Sequence, residues 1–260
     1  MDLESYLKDR YYEFWYDIYN IEKKEVRALK NYIDYLEKNL RKYKISESTG
    51  EWVEDLFVRK HLDYLEEAFS NLILGNYNAF GSIVRIMIEN YACYSIIKKY
   101  RKIEIWKDWY LWSTLKTIKG YEDKPNYGEA EKLFKELCKK FQVEDSSVSN
   151  TSNYGWVERI TKNKRNSFKS ICTLVDETIY EDFKELSSYS HNTNLYIKFN
   201  PILMERLAGF IYQLFTYSDK FVYAHNFHIT KRKEYNNLCV DLLENLDTCI
   251  NYREFESVED

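Results

Sequence analysis

The sequence predicts an all-α fold, a single multi-helix, bundle-like domain with a long N-terminal helix, and three observations predict it. Glycine and proline, which a β-rich chain uses freely in its turns, number only 7 and 2 in 260 residues. Apolar residues recur at helical period over long stretches. Many of the 25 tyrosines lie three or four positions from Leu or Ile. A ring that is apolar along its body and polar at its tip suits the rim of a helical core. The chain is long enough to bury a sizeable core.

The elements follow in order. Residues 2–44 contain no Gly or Pro, and Phe14, Trp15, Ile18, Val26, Leu29, Ile33, Leu36 and Leu40 repeat with helical spacing. This is one long helix or two with a break near Asn20, and residues 1–50 form an N-terminal helical arm. A turn at 46–50 precedes a helix over 51–74 that carries Trp52, Leu56, Leu65 and Phe69, with His61 expected exposed beside Arg59 and Lys60. The next helix, from about Tyr77, is apolar on nearly every face over 78–97 and therefore buried. Its C-terminal end turns basic at 98–102, which suits the negative end of the helix dipole.

Trp106, Trp109 and Trp112 follow at spacing three, read as one helical face that serves either as a packing seam or as an oligomer contact. Residues 119–128 are a loop and 129–141 a short amphipathic helix. Residues 144–155 are the most loop-like segment of the chain and are expected to be mobile. Helices follow around Phe168, Ile171 and Cys172, then over 183–191. Pro201 opens another at 202–225, because its missing N–H is unpaired at a helix start in any case. The core is placed in 51–225, with 226–260 a C-terminal helix and tail.

Net charge is −4, which gives no global drive toward nucleic acid or an anionic membrane. The five cysteines show no CxxC or CxxH spacing and read as reduced, packed thiols. The charged start of the chain carries no secretory signal. The longest apolar run is interrupted by Arg85, Glu89 and Asn90. A soluble, cytoplasmic protein without a membrane partner is expected.

Two polar groups stand out within this apolar frame. Arg85 and Glu89 lie four apart, hence on one helix face, either neutralising each other or forming a site in which Arg85 binds an anion and Glu89 orients it. Ser187 and His191 are likewise four apart. His191 is a general base or proton shuttle, or a helix-end histidine bonded to carbonyls. No G-x-S-x-G elbow is present, which argues against a serine hydrolase. Lys162, Lys164, Arg165 and Lys169 form the densest basic stretch, a phosphate-contacting or merely solvated face. His225 and His228, with Asp219 upstream, lack the further ligands that a metal centre needs, so no metal and no cofactor are expected.

The pairing of Arg85-x3-Glu89 with Phe183, Leu186, Ser187 and His191, roughly a hundred residues later, resembles the DUF5677 family of bacterial helical proteins. Phe183 stands where that family more often has Tyr. The resemblance covers roughly residues 56–214. The family is similar in character to HEPN-like and abortive-infection proteins, several of which are toxin-like RNases of phage defence. Such RNases carry an Arg and a His a few residues apart on one helix. Here the nearest Arg before His191 is Arg165, so Arg85 would supply the charge from another helix.

The resemblance implies a metal-independent RNase of antiviral defence. In it His191 is acid/base, Arg85 stabilises the phosphorane charge, Glu89 and Ser187 position them, and the 162–169 segment holds RNA. The competing expectation is a non-enzymatic sensor or adaptor whose polar cluster is a buried network. Its tryptophan face would then contact a second copy or another protein.

Overall fold

The computed structural model of the chain describes residues 23–40, 51–74, 76–120, 127–190, 202–225 and 232–256. Among these residues are ten α-helices and no strand. They are α1 Lys23–Leu40, α2 Glu51–Ile73, α3 Tyr77–Lys99, α4 Ile105–Lys119, α5 Tyr127–Phe141, α6 Glu158–Thr161, α7 Phe168–Val175, α8 Ile179–Ser190, α9 Ile202–Ala224 and α10 Arg232–Glu256. Short 3-10 turns occupy Arg101–Ile103, Asp145–Asn150 and Gly155–Val157. The all-α class is the predicted one, because helical periodicity over so many turns leaves no other way to bury the apolar positions. Residues 1–22 and 41–50, which together hold most of the expected N-terminal arm, lie outside the described residues. No helix among the described residues is long and apolar enough to cross a membrane.

The described residues fall into two compact units. The first draws on Met1–Ser46, Asp55–Tyr91 and Asp182–Asp260. Within it α1 packs along α10, and both pack on α9. On α1, Leu29, Tyr32, Ile33, Leu36 and Leu40 repeat at three- and four-residue spacing and are all buried. They meet Tyr235, Leu242 and Leu246 of α10 and the large α9 residue Phe215 in one core, with Tyr32 edge-on to Phe215 at 5.2 Å. The terminal helices thus supply core, and the core is not confined to residues 51–225.

The inner stripe of α2 runs Phe57, Val58, His61, Leu62, Leu65, Ala68, Phe69 and Leu72, every member buried. His61 is fully buried and not exposed as its charged neighbours suggest. Arg59 and Lys60 do point to solvent, but the next residue is turned about 100° further round the helix and joins the apolar side.

The second unit draws on Glu47–Glu54 and Ala92–Glu181. Here α4 packs on α5 and on the 3-10 turns that follow it. The expected mobile loop is instead a packed segment. Val148 is wholly buried, and Lys116 Nζ donates to the carbonyls of Val148 (2.9 Å) and Thr151 (2.6 Å). Trp112 Nε1 donates to the Ser152 carbonyl at 3.1 Å. Backbone carbonyls that a polar run would leave to water are therefore held by side chains of α4. Gly155 lies flat against Trp112: a Cβ there would sit 2.3 Å from the indole ring. Asp108, 8% exposed, joins α4 to α5 and α6 through Lys140 and Arg159, each at 3.2 Å.

Candidate functional site

Arg85 and Ser187, 102 residues apart, meet in the first unit. Buried Val84, Met87 and Ile88 fix the inner face of α3, and buried Phe183 and Leu186 fix that of α8. Between these faces the half-buried Arg85 reaches across to α8. Its Nε donates to Ser187 Oγ at 3.0 Å, and its guanidinium lies over the Phe183 ring at 4.2 Å. Ser187 Oγ in turn donates to the Phe183 carbonyl at 2.7 Å. The hydroxyl is thus engaged on both sides. It orients Arg85 and is not a free nucleophile. A cation resting on an aromatic face is favoured, and Arg presents a flat ion suited to it.

The i,i+4 spacing does not make Arg85 and Glu89 an ion pair. Among the described residues no carboxylate lies within ion-pair distance of Arg85, because the guanidinium turns toward α8 and away from its own helix. Glu89 is half-buried one turn along α3. The Tyr64 phenol is raised first by burial and then by the charges of Glu67, Glu89 and Asp63. His191, four positions beyond Ser187, lies outside the described residues. Arg85 and Ser187 are therefore brought together, with Phe183 as a third member that the sequence motif contained without a role.

The other predicted residues are placed as follows. Lys162, Lys164, Arg165 and Lys169 are all exposed and belong to the second unit. Lys162 ends α6 in the left-handed region (φ 58°), Lys164 Nζ reaches Gln142 Oε1 at 3.3 Å, and Lys169 lies over the Tyr180 ring. Lys169 also borders an open cleft of about 550 Å³, where Glu177 and Glu181 oppose its charge. The basic run at the end of α3 is answered by carboxylates: Lys98 pairs with Glu54, and Arg101 with Glu51 and Glu54.

The three tryptophans do not share a face. At 3.6 residues per turn, six positions leave Trp112 about 120° from Trp106. Trp112 is 4% exposed and packs edge-on to Phe141 at 5.0 Å, so it belongs to the core. Trp109 is half-buried. Half-exposed Trp106 meets Trp52 edge-on at 6.2 Å, and Trp52 also meets Tyr110 at 5.1 Å.

Sequence reasoning missed a buried polar cluster joining α1, α9 and α10. Tyr32 Oη donates to Ser218 Oγ (3.3 Å) and lies 3.2 Å from Tyr235 Oη, while the Tyr235 hydroxyl donates to Asp219. Burial raises both phenols well above their ordinary value, and it pushes the neighbouring Cys239 thiol up to about 12. These groups stay protonated and act as hydrogen-bond links between helices. The available signal was a Ser-Asp pair, Ser218 and Asp219, beside the apolar positions of α9. Asp219 is thereby engaged by Tyr235, and His228 lies outside the described residues. No group of three His, Cys, Asp or Glu side chains among the described residues is arranged to hold a metal ion.

Fold and site define an all-α protein with an oriented arginine at a helix–helix seam that no carboxylate pairs with among the described residues. In comparisons with known proteins, the chain matches no family model, no curated protein and no solved structure.

Proposed function

We propose that the chain is an RNA-cleaving, toxin-like protein of antiviral defence that works without a metal, with Arg85 receiving the phosphate. The observation that carries this reading is the state of Arg85. Its Nε is tied to Ser187, its plane rests on Phe183, and no carboxylate neutralises it among the described residues. A guanidinium fixed in this way keeps terminal N–H groups for a bidentate anion. In the proposed reaction the ribose 2′-hydroxyl attacks the adjacent phosphorus and the 5′-oxygen leaves. His191 moves the proton, Arg85 stabilises charge on the phosphorane, and Glu89 positions the His. The likeness to DUF5677 and HEPN-like proteins in the Arg85/Glu89 and Ser187/His191 motifs supports the same reading, with the 162–169 cations holding the RNA backbone.

The test is induced expression in a bacterial host of wild type, His191→Ala and Arg85→Ala, following growth and total RNA. Growth arrest with RNA fragmentation is expected for wild type and is lost in both variants while they remain soluble. Unchanged fragmentation in both would sink the reading.

A non-enzymatic adaptor is favoured by a different observation, the exposed aromatic group in which Trp52 is 41% and Tyr110 44% exposed. Aromatic side chains of this kind anchor protein interfaces. On that reading Trp52→Ala and Tyr110→Ala keep the melting temperature yet reduce the assembled mass seen by light scattering. A mass that is the same before and after substitution counts against it.

A further inference from the structure

Among the described residues, His61 has no polar counterpart around it. It is 0% exposed, its ring lies flat on Phe221 of α9 with centroids 4.0 Å apart and planes 5° apart, and neither ring nitrogen has a hydrogen-bond partner among the described residues. A neutral imidazole in such a place forgoes one donor and one acceptor. An imidazolium would carry two N–H donors and a full charge into a setting that offers no acceptor.

The charged groups of the two helices do not relieve this. On α2, Arg59, Lys60 and Asp63 are exposed, and Arg59 pairs with Asp55 at 2.6 Å. On α9, Asp219 accepts the Tyr235 hydroxyl and Lys220 lies over the Tyr217 ring. Burial, which disfavours the charged form, is what lowers the ring's affinity for a proton. Stacking on Phe221 attracts a cation, but it supplies no acceptor for either N–H.

We propose that His61 is an acid-triggered latch, whose protonation releases the α2–α9 contact within the first unit. The direction follows from burial, which pushes the imidazole from 6.5 down to about 3 in the folded protein. The opened chain takes up the proton near 6.5. Stability is therefore unaffected by this group above that pH and falls as pH drops from about 6.5 toward 3. At pH 5 this one group makes opening about 30-fold more favourable than at pH 7.5.

The test compares urea unfolding of wild type and His61→Phe at pH 7.5 and 5.0, with amide exchange across α2 and α9 and the imidazole resonances followed by NMR. Wild type is expected to lose about 30-fold more in its folding equilibrium over this interval than His61→Phe. Protection factors of its α2 and α9 amides, corrected for the intrinsic pH dependence of exchange, are expected to fall at pH 5.0, with those of the variant unchanged. Equal pH dependence in the two proteins overturns the proposal, as does a folded-state His61 resonance that titrates near 6.5. Should His61→Phe fail to fold, His61→Leu takes its place, and the wild-type titration decides in either case.

Discussion

Trp112→Ala should remove about 3–5 kcal/mol of stability, the usual range for emptying a core aromatic site. Urea unfolding followed by far-UV circular dichroism measures it. The indole is 4% exposed, packs edge-on to Phe141 and donates its N–H to the Ser152 carbonyl. Truncation therefore leaves a cavity and an unpaired carbonyl together. Gly155→Ala probes the same contact from the other side. Its Cβ would lie 2.3 Å from the indole, so ring or backbone must shift, and overpacking of this kind costs about 1–3 kcal/mol. Combining Gly155→Ala with Trp112→Phe should cost less than the sum of the two, since the smaller ring makes the room that the new methyl needs. A loss below about 1 kcal/mol for Trp112→Ala, well short of a core aromatic's range, would favour the oligomer contact over the packing seam, the two roles that its spacing left open.

The sequence made the helices legible because periodicity is a property of the chain alone. The 51–74 stretch became Glu51–Ile73, and the apolar 78–97 stretch became the centre of Tyr77–Lys99. The Arg85–Ser187 meeting was legible for a related reason. A polar residue in an otherwise buried helix needs a partner, and the second polar stretch was the obvious supplier.

What could not be read was decided by rotation and by long-range contact. His61 is buried because its azimuth on α2 matches Val58 and Leu65, although its immediate neighbours in sequence are cationic. Residues 144–155 read as a loop because their composition is polar. Their order comes from Lys116 and Trp112, more than thirty positions earlier, which satisfy carbonyls that no local signal marks as paired. The Tyr32–Tyr235 contact spans 203 positions and involves two of many tyrosines, none singled out by its context. Spacing told which residues share a helix, and packing chose which side faced in.

Arg85→Lys should be nearly as damaging to the proposed RNA cleavage as Arg85→Ala, and this separates an oriented guanidinium from a mere positive charge. Removing a group that stabilises transition-state charge lowers rates by about 10²–10³-fold. Lysine keeps the charge but has no Nε to bond Ser187 Oγ and no plane to lay on Phe183, and it presents a point charge where a fork is needed. Ser187→Ala leaves the guanidinium present but untethered, so a smaller loss is expected, on the order of tenfold, as for one orienting hydrogen bond. Single-turnover cleavage of a short RNA measures all three, with melting temperatures taken alongside. The expected order of rates is wild type, then Ser187→Ala, then Arg85→Lys and Arg85→Ala close together, with little change in melting temperature because Arg85 is only half-buried. Full activity in Arg85→Lys would mean that charge alone suffices and that the Ser187 tether has no part in the chemistry. Normal RNA cleavage by all three, with melting temperatures lowered in step, would make the Arg85–Ser187–Phe183 contact a clasp between α3 and α8 and nothing more.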